Sequence, residues 1–399
     1  MLWVRAVAIG ILGVVAALAG LVLAPLIPDS IGDRIGADSV DQILEILASS
    51  MLAVVTFSLV VAVQAFAAAS ANATPRAVKL LQADPTTQNV LATFVGAFLF
   101  SLVGIIALNA EIYGAKGRVV LFAATILIIV LVVTALFRWI DHLMRLGRMS
   151  DILERIEKAA TDASVDRAGQ PYLGGQAWVA GMPADAIAVY PEAIGYVQHV
   201  DAEELSCCAD AMGAELWLAD IPGSFVHPGH PLLVVSGAAL DEKCAGQLRA
   251  AYTVASERSF DQDPRFGVIV LAEIASRALS PAVNDPGTAI DVLGRLVRVL
   301  SHWERRTEAE VKYPRLHVAP VLASELMEDA FEPIARDGAT LIEVQIRLQA
   351  SLAALGTIAP MYFREATRAM AAQARDRALA ASTFEGDKLR LSASLQERG

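Results

Sequence analysis

Four apolar runs before Met149 constrain this chain more than any other feature. Leu2 to Ile27 is apolar except for Arg5, and runs from Ile43 to about Ala71, Val90 to Leu108 and Val119 to Phe137 follow it. Each is long enough to cross ~30 Å of hydrocarbon at a rise of 1.5 Å per residue. Within lipid a backbone has to satisfy its own hydrogen bonds, so runs of this length are expected to be transmembrane helices. The first run lacks the short core and small-residue cleavage motif of a signal peptide and is expected to be a span as well.

Charge divides the chain at the same place. Nine Lys and Arg stand against eight Asp and Glu up to Met149, and 23 against 35 beyond it, within 399 residues that are 55% hydrophobic. The expected architecture is an α-helical membrane domain of four transmembrane helices over 1–149, followed by an acidic α+β cytoplasmic body. That body divides into a small β-sandwich-like module over 150–245 and a helical domain over 246–399. Its acidity excludes nucleic acid as a partner, because a polyphosphate is bound by clustered Lys and Arg. The three cysteines, Cys207, Cys208 and Cys244, give neither a disulfide framework nor a zinc spacing.

Lys and Arg near the span ends set orientation. Arg5, Arg76, Lys79, Arg138, Arg145 and Arg148 fall on one side, and Arg34, Lys116 and Arg118 on the other. This places both termini and the large C-terminal part in the cytoplasm of a bacterial cell, with the spans in its inner membrane. Thr74, followed by Pro75, fits a helix cap at the inner end of the second span.

Along the second span, Ser49, Ala53, Thr56, Val60, Gln64, Ala67 and Ala71 share one helical stripe, with Glu45 at its outer mouth. Small and polar residues in this pattern form either a helix-packing seam or the wall of an aqueous path between subunits.

Past Pro171 short β-rich runs appear, AIAVY, GYVQHV, AELWLAD and PLLVVS. GSFVHPGHPLLVV reads as a hairpin around a Pro-Gly turn. It is similar to the turn of biotinyl and lipoyl carriers, but its tip carries no Lys to bear such a group, and no cofactor is expected. His227 and His230 in that turn, with His199 nearby, are weak candidates for a metal, which needs three or four convergent ligands. Helices are then expected at Gln247 to Arg258, after Phe266, and from Val321 nearly to the end.

The segments VVTFSLVVAVQAFAAASANATPRAVKLLQAD, SERSFDQDPRFG, RALSPAVNDPGTAIDVL and LMEDAFEPIARDGA occur in that order. Together they resemble the bacterial predicted-membrane-protein family known as domain of unknown function 2254. SPAVNDPGTA is the most specific of them, with DQDPRFG before it. The chain departs from the family's pattern at Ala73 to Arg76, where the usual segment is Ser-rich, and at Ala282, where Gly is usual. The resemblance implies the architecture and assigns no reaction.

SPAVNDPGTA supports two readings. Pro281 ends one helix, Asp285 caps the next and Pro286 suits its first position, which makes a corner. Alternatively Arg277, Asn284, Asp285, Thr288 and Asp291, joined in space by Asp263 and Arg265, form a polar cluster for a cation or small ligand. No nucleophile elbow, zincin helix, Walker loop or dinucleotide fingerprint occurs, and nothing argues for catalysis. The features together predict a homo-oligomeric, cation-preferring, channel-like assembly in a lipid bilayer, with Glu45, Ser49, Thr56 and Gln64 facing the path or a helix seam. The rival is a membrane-anchored sensor or scaffold that binds a small ligand or protein. A third reading, a lipid-acting enzyme, would use Arg138, Asp141, His142 and Arg145.

Overall fold

The computed structural model describes residues 8, 11, 15, 37–72, 74–77, 84–112, 115–145, 148–179, 181, 183, 185–305 and 310–396. The chain divides into two compact units, Met1–Ile152 and Leu153–Gly399.

In the first unit, α1 (Ala37–Asn72), α2 (Pro85–Asn109) and α3 (Ala115–Arg145) hold the apolar segments. Three helices among the described residues are long and apolar enough to cross a membrane, over Ser39–Ala68, Pro85–Asn109 and Lys116–Met144. The first expected span, Leu2 to Ile27, lies outside the described residues apart from three isolated positions, so four spans are not established. Half of the apolar window of α2 is buried, against 28% for α1 and 22% for α3, which makes α2 the central helix. Leu47 and Met51 of α1, Phe94 and Ala97 of α2, and Val132 and Trp139 of α3 share one core. At Gly104 a Cβ would lie 2.9 Å from Leu44 Cδ1, so the missing side chain sets the approach of α1 to α2. Thr74 behaves as expected, accepting from the Ala77 amide at 3.4 Å.

The second unit begins within α4 (Met149–Gly169). Its strands are β1 (Gln176–Ala177), β2 (Ile187–Val189), β3 (Gly195–Val200), β4 (Glu215–Leu218), β5 (Phe225–Val226), β6 (Leu233–Ser236), β7 (Tyr252–Ala255) and β8 (Leu316–Val318). They form a mixed sheet in the order β1-β8-β4-β6-β2 and an antiparallel sheet in the order β5-β3-β7. Both sheets share one core with α5 (Ala202–Met212) and α6 (Glu242–Ala250), built on Val197, Leu205, Leu216, Val235, Leu248 and Leu316. Two of these strands, β7 and β8, come from beyond residue 245.

Two local expectations are corrected. GSFVHPGHPLLVV is not a hairpin, because β5 joins β3 while β6 joins β4 and β2. The true hairpin partners are β4 and β6, in register from Glu215↔Ser236 to Leu218↔Leu233, and the Pro-Gly turn carries the chain from one sheet to the other. The helix expected at Gln247 to Arg258 stops at Ala250, and Tyr252–Ala255 pairs with β3. Tyr-Thr-Val favours a pleated surface, and a waiting sheet edge outweighs helical continuation.

The remaining helices are α7 (Pro264–Ala278), α8 (Pro286–Ser301), α9 (Ala323–Asp337), α10 (Ile342–Ile358), α11 (Pro360–Ala381) and α12 (Glu385–Gln396). Helix α8 shows why they bundle. Ala289, Val292, Leu293, Leu296, Val299 and Leu300 recur at helical spacing and are all buried.

Candidate functional site

A buried polar network of the second unit lies at the DQDPRFG segment, where the chain enters α7. Asp263 is 1% exposed and is the N-cap of α7, its Oδ1 accepting from the amides of Arg265 at 3.0 Å and Phe266 at 3.2 Å. Arg258 clasps the same carboxylate, Nε to Oδ2 at 2.7 Å and Nη2 to Oδ1 at 3.0 Å, and stands over the Phe266 ring. Gly223 makes room for this pair: its φ is +100°, and a Cβ would come within 2.6 Å of Asp263 Oδ2. Arg265 turns the other way, to Asp329 at 2.6 Å and Glu325 at 3.0 Å on α9. Gly267 lets α7 touch α4, since a Cβ there would lie 2.4 Å from that of Ala160.

Arg167 of α4 completes the network and was missed in the sequence. It is 3% exposed, donates from Nη2 to the Gln262 carbonyl at 3.0 Å, and its Nη1 meets no partner among the described residues. Burial pulls its guanidinium down to about 10, against the opposing charges of Asp263 and Tyr362. The signal was present, because Ile156, Ala160, Ala163 and Arg167 follow one helical stripe and three of them are plainly apolar. Beside Arg167 lies a cavity of about 390 Å³ lined by Asp166, Gln170, Asp261 and Gln262 among others.

The SPAVNDPGTA segment is an exposed corner between α7 and α8. The Asp285 amide donates to the Ala278 carbonyl at 2.8 Å, and the amides of Val283 and Asn284 donate to that of Ser280. Asn284 takes φ +50°, a left-handed conformation that Asn tolerates better than most residues. Asp285 caps α8, accepting from the Thr288 amide at 3.1 Å and hydroxyl at 2.6 Å, and these bonds hold its carboxyl below the usual range. Asp291 pairs with Arg295 at 2.9 Å. Arg295 and Arg298 also close on Glu157 of α4 at 2.6 and 2.5 Å, which ties α8 to α4.

These residues do not form one cluster. Asp263 and Arg265 stand at the start of α7 and Arg277 near its end, about 21 Å apart along the axis at 1.5 Å per residue. Arg277 faces instead a groove of about 700 Å³ between α7 and α9, with Glu328, Glu332 and Arg336.

On α1 the expected stripe is exposed: Glu45, Ser49, Ala53, Thr56, Val60, Gln64 and Ala67 are all uncovered. Ser49 and Thr56 return their hydroxyls to the carbonyls of Glu45 and Leu52, each at 2.9 Å, and the Gln64 amide meets no partner among the described residues. A second group, whose His142 was expected only as part of a lipid-acting site, closes the ends of α2 and α3. Buried Asp84 caps α2 through the Thr87 amide at 2.7 Å, and His142 Nε2 stands 3.0 Å from both Asp84 Oδ2 and Thr87 Oγ1. His142 therefore holds two helix ends together, and Asp141 beside it is exposed.

His227 and His230 do not converge on a metal. His227 Nδ1 accepts from the Gly229 amide at 3.1 Å, while His230 Nε2 lies 3.7 Å from Asp220, whose carboxyl burial pushes up. Among the described residues no group of three His, Cys, Asp or Glu is placed to hold a metal ion.

Comparison with known proteins agrees with a membrane protein. Uncharacterised proteins of Mycobacterium bovis and of two strains of Mycobacterium tuberculosis are each 25% identical over 287 residues, 65% of this chain and 51% of theirs. The chain thus spans about half the length of the curated relatives it matches. No solved structure matches it. The family model described as predicted membrane protein (DUF2254) matches residues 1–354, and the chain belongs to that family.

Proposed function

We propose that the chain is one subunit of a homo-oligomeric assembly in the bacterial inner membrane that lets cations pass. In this reading Leu153–Gly399 lies on the cytoplasmic side, as the distribution of Lys and Arg favours, and serves as assembly and control element. The observation that carries it is the uncovered stripe on α1. Lipid offers the Gln64 amide no hydrogen-bond partner, so a neighbouring subunit or a water-filled path is the environment that relieves it. Exposed Glu45 at the mouth of the stripe raises the local concentration of cations. Planar-bilayer recording of the purified full chain, over varied voltage, tension and pH, tests the proposal. Cation-selective current that falls with Glu45→Gln and changes with Gln64→Leu supports it, and silence together with particle images lacking an axial opening refutes it.

A sensor reading is favoured by a separate observation, the buried Arg167 with an unpartnered Nη1 beside the cavity of about 390 Å³. It predicts that some member of a series of small carboxylic acids raises the thermal midpoint of the wild-type protein and not that of Arg167→Met. If no member separates the two proteins, the sensor reading fails.

A further inference from the structure

Many arginines of the second unit are neutralised: Arg258, Arg265, Arg295, Arg298, Arg315 and Arg377 each reach a carboxylate. Arg364 and Arg368 are not, for neither guanidinium meets an acid among the described residues. Carboxylates are plentiful, 35 against 23 basic groups beyond Met149, so general composition does not explain their isolation. Both are exposed, one turn apart on α11, and both line a groove of about 530 Å³ between α10 and α11.

The groove has a structural cause. At Gly356 a Cβ would lie 2.7 Å from Thr367 Oγ1, so α10 and α11 are pinned together there. Small residues on both walls, Ala353 and Ala371, then leave open volume between the helices. The hydroxyls of Thr357 and Thr367 donate to the carbonyls of Ala353 and Phe363, each at 2.9 Å, so the charged donors available to a ligand are the two guanidinium groups.

Electrostatically the arrangement is unfavourable as it stands. Like charges at i and i+4 of a helix repel. An anion in the groove relieves that repulsion. A carboxylate carries one charge for two forks, whereas a phosphate monoester brings nearly two charges and three acceptor oxygens.

We infer that the groove between α10 and α11 binds a phosphate-bearing ligand through Arg364 and Arg368. The phosphate belongs either to a free small molecule or to a phospholipid headgroup, which present the same chemistry. The inference is independent of ion passage and survives if the full chain conducts nothing.

Isothermal titration of the full chain in detergent with inorganic pyrophosphate, beside thermal midpoints in phosphatidylcholine nanodiscs with and without phosphatidylglycerol, tests it. Wild-type protein is expected to bind pyrophosphate saturably, with a loss of roughly tenfold for each of Arg364→Gln and Arg368→Gln, the scale of a hydrogen bond to a charged group. Arg364→Lys with Arg368→Lys keeps the charge and is expected to retain part of the affinity, which separates binding from any defect of folding. Pyrophosphate binding without a phosphatidylglycerol effect assigns the site to a free ligand. A midpoint raised by phosphatidylglycerol in the wild type and not in the double Gln variant assigns it to a headgroup. If neither probe separates the wild type from the double Gln variant, the inference is overturned.

Discussion

Removing the Asp263 carboxylate tests the network at the start of α7 most sharply. Asp263→Ala takes four acceptor contacts from a side chain 1% exposed: Nε and Nη2 of Arg258 and the amides of Arg265 and Phe266. Loss of an N-cap costs about 1 kcal/mol. Deleting one partner of a buried ion pair costs ~3–5 kcal/mol, because the other charge is left without compensation. Arg258 keeps 18% side-chain exposure, so water partly rescues it and the low end applies, giving a total of about 3–4 kcal/mol. At ~2–4 °C per kcal/mol for a body of this size, the thermal midpoint should fall on the order of 10 °C. Asp263→Asn keeps an oxygen for the two amides and loses the charge, so it should fall between Ala and wild type. Adding Arg258→Met to Asp263→Ala should restore part of the loss, because the stranded charge is gone. Thermal unfolding of the full chain, with hydrogen exchange of the α7 amides to localise the effect, reads all three. A midpoint within about 2 °C of wild type for Asp263→Ala, or strict additivity with Arg258→Met, would refute the account.

Three further changes follow from the same geometry. For Glu157, burial acts to raise the carboxyl, but the hydrogen bonds and charges of Arg298 and Arg295 outweigh it and hold the group below its ordinary value. A depressed folded value gives stability that is complete above the unfolded value of ~4.3 and lost as pH falls through the folded one. Glu157→Gln should therefore lower the midpoint near neutrality and converge with wild type in that acid window, as parallel melts from pH 7 to pH 3 would show. Asn284→Gly should leave the midpoint nearly unchanged, whereas Asn284→Ala at φ +50° should cost roughly 1–2 kcal/mol, and equal melts for the two would contradict the left-handed corner. Gly267→Ala meets the Cα of Ala160 at 2.7 Å, an obstacle that cannot rotate away, and should cost ~1–3 kcal/mol that Ala160→Gly partly returns in the double variant.

Periodicity made the membrane helices, α8 and the late bundle legible, because apolar residues recur along each at helical spacing. What it hid was decided by distant partners. Tyr252–Ala255 became a strand because β3 offered an edge, and β5 parted from β6 because β4 and β3 lie in different sheets. The candidate polar cluster failed for a simpler reason: adjacency in motif order is not adjacency in space once fifteen residues of α7 separate the two ends. Arg167, Arg258 and Glu157 went unnoticed because single charged residues have no spacing of their own, and the spacing around His142 gave no sign of its partners Asp84 and Thr87. Arg167 could have been found by asking why an apolar stripe admits a guanidinium.

The two segments on which the resemblance read in the sequence rests most, DQDPRFG and SPAVNDPGTA, are accounted for largely by helix caps, a left-handed Asn and a close helix contact. Such roles tolerate few substitutes, since Asp263 serves a cap and an ion pair at once and Gly267 faces backbone, so a motif can be specific without touching a ligand. Chemistry aimed outwards falls instead at Gln64 on an apolar helix, at Arg277 in an acidic groove, and at Arg364 and Arg368, which meet no acid among the described residues. The last two lie past residue 354, where the family match ends. The groove straddles that limit, since Gln349, Leu352 and Ala353 on its α10 wall lie within the matched residues, as do the caps and the contact between α4 and α7.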